Sequence, residues 1–352
     1  LVVGFGTGFG SLAFRHMITF FHWIAFDIGR TLLFDFMGRY YVVILPSLGG
    51  LILGPIVYFF AREAAGHGVP EVMQAVALRG GRIRPIVVVV KTVASAICIG
   101  FGGSAGREGP IVQIGASLGS TVGQFFNLSA DRIRMLVACG AAGGIAATFN
   151  APVAGVIFAL EVILGEFAVR HFSTVVVSSV TASVVSQVFI GTETTFSVPI
   201  YSMHNSWEFV LYILLGLLAG PVGVGFSRLL NVFEDFFENL KAPGYLKPAI
   251  GAIGVGVIGI WLPEIFGVGY ESMEQVLRSE SSTLIWIALL IVFKIIGTSL
   301  TLGSGGSGGV FAPALFIGAM FGALFGNFVV MAFPGMTAPS GAYAIVAMAA
   351  MA

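Results

Sequence analysis

KTVASAICIGFGGSAGREGPIVQIGASLGSTVGQFF, residues Lys91–Phe126, has a distant copy later in the chain, KIIGTSLTLGSGGSGGVFAPALFIGAMFGALFGNFV, residues Lys294–Val329. Without a gap the two pair Lys91 with Lys294, Gly103 with Gly306, Ser104 with Ser307 and Gly106 with Gly309. The register holds through Pro110/Pro313, Gly115/Gly318, Ala116/Ala319, Gly119/Gly322 and Gly123/Gly326. Chance rarely keeps one offset through so many glycines and prolines. In a membrane chain, two such halves point to an internal repeat with a substrate site between them.

The composition supplies the membrane. Of 352 residues, 57% are hydrophobic and 10% charged, and the mean hydropathy is +0.98. A soluble domain carries about 25% charged residues, so this chain cannot coat itself for water. Apolar stretches at Tyr40–Phe60, Phe172–Ile190, Phe209–Phe226, Leu284–Leu302 and Ala314–Phe333 approach the ~20 residues that span a bilayer. Those at Ile86–Phe101 and Ala249–Leu262 are shorter. The reading is an all-α polytopic membrane protein. The 49 glycines add many helix breaks, tolerated at membrane depth only where the backbone lines a protein cavity. That favours a transporter or channel over an inert anchor.

Net charge is zero, which gives no reason to expect a nucleic-acid partner. Cys98 and Cys139 sit in apolar segments and read as small buried hydrophobes. His16, His22, His171 and His204 are scattered, no metal-ligand spacing occurs, and no cofactor is expected. Gly303–Gly308 formally matches GxGxxG, but no βαβ pattern surrounds it. The polar stretch 61–84 ends in Arg79, Arg82 and Arg84, which reads as a cytoplasmic loop by the positive-inside rule. The chain divides into a first half (1–230), a polar linker (231–247) and a second half (248–352). By symmetry with Ala138–Glu161, the second half is expected to continue past Ala352, and the start at Leu1 leaves room for a preceding segment.

Three segments place glycines and a proline before an apolar helix: GHGVP at 66–70, GREGP at 106–110 and GGVFAP at 308–313. Proline suits the first helical turn, where no N–H partner is needed. Each segment therefore predicts a helix start with free amides and partial positive charge. Several such starts at one point replace an anion's water shell without a fixed Lys or Arg that would hold the ion too tightly. A single Gly-Pro start is usually a plain turn; three, two of them repeat-related, make an anion site.

With these motifs the chain resembles the CLC chloride channels and proton/chloride exchangers over nearly all its length. GHGVP, GREGP and GGVFAP are similar to that family's three anion-site signatures, and Ala138–Glu161 looks like its middle stretch. The resemblance implies an inverted-topology repeat of broken, tilted transmembrane helices. It implies a homodimer in the lipid bilayer with one pathway per subunit, moving chloride and, in exchangers, protons. Glu108 falls on the family's gating glutamate. His67, Gly68, Val69, Arg107, Glu108, Gly109, Val310 and Phe311 fall on or beside its anion contacts, chiefly through backbone amides. A prokaryotic plasma (inner) membrane is the expected location.

Two positions depart from the family pattern. His67 stands where serine or proline is common. It either donates to the anion, with possible charge near neutral pH, or turns aside and leaves the work to the Gly68 and Val69 amides. At the family's internal proton glutamate stands Val162, which cannot carry a proton; Glu161 precedes it, but helix neighbours point about 100° apart. Glu161 and Glu166 are the nearby acids. The family's pore tyrosine has no counterpart before Ala352, and Tyr343 falls elsewhere.

Chloride transport gated by Glu108 is the expected function, with Val162 favouring channel-like conduction. The alternatives are a proton-coupled chloride antiporter, or passage of another anion such as fluoride or nitrate, which His67 keeps open. An intramembrane enzyme using Glu108 and His67 as acid and base lacks a nucleophile or metal motif, and the glycine-rich helix starts argue against a mere scaffold or sensor.

Overall fold

The protein is described here by a computed structural model covering residues 1–165, 169–192, 198–280 and 283–352, apart from the side chains of 169–171. Every regular element among them is helical. Helix α1 (Val2–His22) runs through a π-helical turn into α2 (Arg30–Met37), followed by α3 (Tyr41–Phe60), α4 (Val69–Leu78), α5 (Ile86–Gly100) and α6 (Glu108–Phe125). Then come α7 (Ala130–Phe149), α8 (Pro152–Phe158), which continues as π-helix to Leu164, and α9 (Val169–Ile190). The rest is α10 (Glu208–Asn239), α11 (Lys247–Gly259), α12 (Tyr270–Leu277), α13 (Leu284–Gly303), α14 (Phe311–Ala332) and α15 (Ser340–Met351). Six described stretches are long and apolar enough to cross a bilayer, while α4, α5, α11 and α15 are shorter apolar helices. On α10, Phe209, Ile213, Leu217 and Val232 are each more than half exposed. Such a face is stable only against lipid or another apolar surface.

The two halves meet through hydrogen bonds that come in repeat-related pairs. Gly106 and Gly309, equivalent in the repeat, exchange both backbone bonds at 2.8 Å in an antiparallel bridge. The Gly66 amide donates to the Gly306 carbonyl (2.9 Å), and the Gly267 amide to that of Gly103 (3.1 Å). Ser95 meets Ser307 at 2.8 Å, while their equivalents Thr298 and Ser104 meet at 3.3 Å. Reciprocity of this kind is what a two-fold relation between inverted halves produces. Helix packing repeats as well: α6 lies along α7 as α14 lies along α15, and α3 lies against α11. Glycine permits that last approach, since a Cβ at Gly50 would fall 2.7 Å from the Ala249 amide nitrogen.

Lys91 and Lys294 are both fully buried. Lys91 Nζ donates to the carbonyls of Ala64 and Gly66 (3.1 and 2.9 Å), and Lys294 Nζ to those of Ile265 and Gly267 (2.9 and 2.8 Å). Lys294 also lies 4.9 Å above the Phe316 ring centroid. A buried ammonium needs such partners; in return it fixes the backbone just before α4 and α12.

The stretch expected as a linker, 231–247, is helical over most of its length. Helix α10 continues to Asn239 and α11 begins at Lys247. The reason lies in its periodicity: Leu230 and Phe237 are buried with the half-buried Glu234 between them on one stripe, while Asp235 and Glu238 are exposed. These charges mark the polar end of a membrane helix rather than an extended connection.

Candidate functional site

The three glycine-proline segments converge. Helices α4, α6 and α14 begin at Val69, Glu108 and Phe311, preceded by Gly68, Arg107 and Val310. Gly68 has φ +89°, a conformation that favours glycine. A Cβ there would lie 2.8 Å from the Gly109 carbonyl oxygen, and one on Gly309 would lie 2.7 Å from the Gly109 nitrogen. The three starts thus touch backbone to backbone. First-turn amides have no helical acceptor, so this junction concentrates N–H groups and the positive ends of three helices.

Glu108 sits at this junction with 1% exposure. Its Oε1 accepts a 2.5 Å hydrogen bond from the Tyr270 hydroxyl, while Oε2 is buried without a hydrogen-bond partner. Tyr270 opens α12 after Gly269, whose φ is +83°. The Arg107 guanidinium lies over the Tyr270 ring, 5.2 Å from its centroid. Arg107 does not line the main cavity; it borders a small recess with Arg15. It therefore acts as a nearby positive charge on the flank of Glu108.

A cavity of about 900 Å³ opens beside the junction. His67, Val69, Glu108, Gly109, Val310 and Phe311 line it, with Val162, Phe149 and Phe158 among the apolar walls. His67 Nε2 lies 3.2 Å from Glu234 Oε1 on α10. That is ion-pair distance, but the direction is off hydrogen-bond geometry and Nε2 has no hydrogen bond. Gly303 of α13 places Glu234, because a Cβ there would be 3.0 Å from the Glu234 nitrogen. Val162 faces the cavity while Glu161 is exposed. Glu166 and the side chain of His171 lie outside the described residues. Tyr343 is remote from the cavity, with its hydroxyl 3.4 Å from Glu208 Oε2.

A family model described as voltage gated chloride channel matches residues 49–352. This chain belongs to that family. A CLC relative, the H(+)/Cl(-) exchange transporter ClcA of Vibrio parahaemolyticus, is 33% identical over 99% of this chain and 76% of its own length. Chloride channel protein CLC-f of Arabidopsis thaliana is 36% identical over 88% of this chain, which spans only 42% of that protein. The crystal structure of a slow cyanobacterial Cl-/H+ antiporter superposes with a TM-score of 0.86 at 23% identity, covering 99% of this chain and 82% of that one. At that identity the likeness speaks for the fold. CLC membership makes anion transport by a multi-pass membrane protein the activity class, not enzymatic catalysis.

Of the residues read from the sequence, the CLC fold brings His67, Val69, Glu108, Gly109, Val310, Phe311 and Val162 to one cavity, with Gly68 packed behind Gly109. Two residues had escaped that reading. Gly267-Val268-Gly269-Tyr270 is the second-half counterpart of Gly66-His67-Gly68-Val69, with positive φ at all four glycines. Its distance to the following lysine is two residues longer, so an ungapped comparison misses it. Glu234 was hidden because its charge-rich neighbourhood read as a linker.

Proposed function

We propose that this CLC protein moves chloride across its membrane in exchange for protons, with Glu108 as the shared gate. The observation that carries the reading is the buried Glu108 carboxylate at the meeting point of three helix starts. Positive helix ends hold one anion well, either a carboxylate or a halide. When Glu108 is ionised, its carboxylate competes for that place. When it takes up a proton, its hold on the dipoles weakens and chloride can occupy the amides. Movement of the ion and movement of the proton are then linked through one side chain.

Val162 taken alone favours a channel. Exchange is preferred because relatives covering most of this chain, including the Vibrio protein, are named H(+)/Cl(-) exchange transporters. A homodimer with one such pathway in each subunit is the proposed assembly. The plasma membrane of a prokaryote is the proposed location. His67 at the cavity wall bears on selectivity among chloride, fluoride and nitrate: an imidazole N–H aimed inward would favour small, strongly hydrated anions.

The test is reconstitution in liposomes under a chloride gradient, recording chloride and proton movement together. Uphill proton movement driven by chloride is expected. Chloride flux without protons would return the reading to a channel. No flux from folded protein would remove transport by this chain on its own.

A further inference from the structure

We propose that Glu234 and His67 form the proton entry to the anion cavity. The inference rests on the exchange reading and names the residues that would serve it. Among the described residues lining the cavity, His67 and Glu108 are the two with titratable side chains. Glu108 is sealed at one oxygen by Tyr270 and flanked by Arg107. The wall near Val162, Phe158 and Phe149 is apolar. A proton that reaches Glu108 through the cavity therefore has His67 as its side-chain stepping stone.

Glu234 connects that stone to solvent. Its side chain is 39% exposed, that of His67 is 20% exposed, and the two atoms stand 3.2 Å apart. In the proposed step the Glu234 carboxylic acid gives its proton to the His67 ring and becomes a carboxylate. The imidazolium then releases a proton to water in the cavity, which passes it to the Glu108 carboxylate. Each transfer breaks one O–H or N–H bond and forms another, and the pair resets when the Glu234 carboxylate takes up a proton from solvent. A cavity of about 900 Å³ has room for such water, at about 30 Å³ per molecule.

The charged groups around the pair come from α4, α5, α6, α10 and the start of α11. Glu71 opens α4, and Lys91 stands behind the Gly66 carbonyl. Glu108 shares the cavity. On α10, Asp235 and Glu238 neighbour Glu234, and Lys247 donates to the Glu238 carbonyl at 3.2 Å.

The deciding experiment compares the wild-type protein with Glu234→Gln in liposomes under a chloride gradient. Glu234 does not itself line the cavity and supplies no amide to the helix starts, so chloride flux reports that the variant is folded. The expected result is retained chloride flux with proton movement down by about a hundredfold, the low end of what a positioned acid–base group supplies. Glu234→Asp should recover part of the coupling. If the wild type is coupled and Glu234→Gln keeps the same proton-to-chloride ratio, the relay is wrong while exchange stands. If the wild type itself moves chloride without protons, exchange fails and the relay with it.

Discussion

The Tyr270 hydroxyl donates to Glu108 Oε1 at 2.5 Å, joining the start of α12 to the start of α6 across 162 residues of chain. A hydrogen bond to a charged acceptor contributes about 1.5–3 kcal/mol. This one exists only while Glu108 holds its observed position, so it acts as a latch. Tyr270→Phe keeps the ring under Arg107 and removes only the hydroxyl. The latch energy predicts a shift of about ten- to hundredfold toward the displaced carboxylate, read as faster chloride efflux. An unchanged efflux rate would show that the hydroxyl does not restrain the gate.

Glu108→Gln tests the gate itself. Glutamine fills the same space but carries no charge and exchanges no proton. Chloride flux should persist, lose its dependence on pH, and drag no protons. Retention of the wild-type pH profile would assign the titration to another group. His67→Ser is the companion variant for selectivity. If the imidazole touches the ion, the chloride-to-nitrate and chloride-to-fluoride flux ratios change; equal ratios would mean that the ring turns aside toward Glu234.

The glycine-proline starts were legible because the requirement is local. A chain that must begin a helix with bare amides writes it in adjacent residues, as at 66–70, 106–110 and 308–313. The repeat was legible because Gly106 and Gly309 face the same steric demand in each other's presence. Tyr270 and Glu234 were not legible, for different reasons. Tyr270 acquires its role from a partner far away in the chain, and the two-residue difference in spacing concealed its kinship with Val69. Glu234 depends on where the end of α10 lies against Gly303, which is a matter of helix packing rather than of pattern. Lys91 and Lys294 were visible as a matched pair, but their choice of backbone carbonyls over an anion follows only from the fold.

Lys91→Met and Lys294→Met should both destabilise the protein, the second more. Losing Lys294 takes the lysine donor from the carbonyls of Ile265 and Gly267, at about 1–3 kcal/mol for each group, whereas those of Ala64 and Gly66 keep the Ser307 hydroxyl and the Gly308 amide when Lys91 is lost. Because the lost bonds hold the turns before α4 and α12, chloride flux should fall together with the melting temperature in detergent. Full stability with reduced flux would instead make the ammonium groups long-range attractors for the anion. Full stability with full flux would show that the turns hold themselves.

Glu63 and Arg84 supply a pH dependence at the membrane edge, outside the spanning helices. Arg84 donates from Nε and Nη2 to the two carboxylate oxygens at 2.6 and 2.5 Å, and the Glu63 carbonyl accepts from Gln113 Nε2 at 2.8 Å. The Arg84 hydrogen bond holds the Glu63 carboxyl below its usual range; burial opposes this, and the charges of Arg84 and Arg79 reinforce it. A carboxyl with a depressed folded-state pKa contributes its full stability above the ordinary carboxylate range. That contribution disappears as the pH falls through the folded-state value. Arg84 is 58% exposed, so the pair is worth less than ~1 kcal/mol and is screened by salt. The difference in melting temperature between wild type and Glu63→Gln should therefore be small and positive at neutral pH in low salt. It should shrink in high salt and vanish in acid below the carboxylate range. A difference that survives acid unchanged would mean that the variant disturbs the packing of the turn before α4 rather than an ion pair.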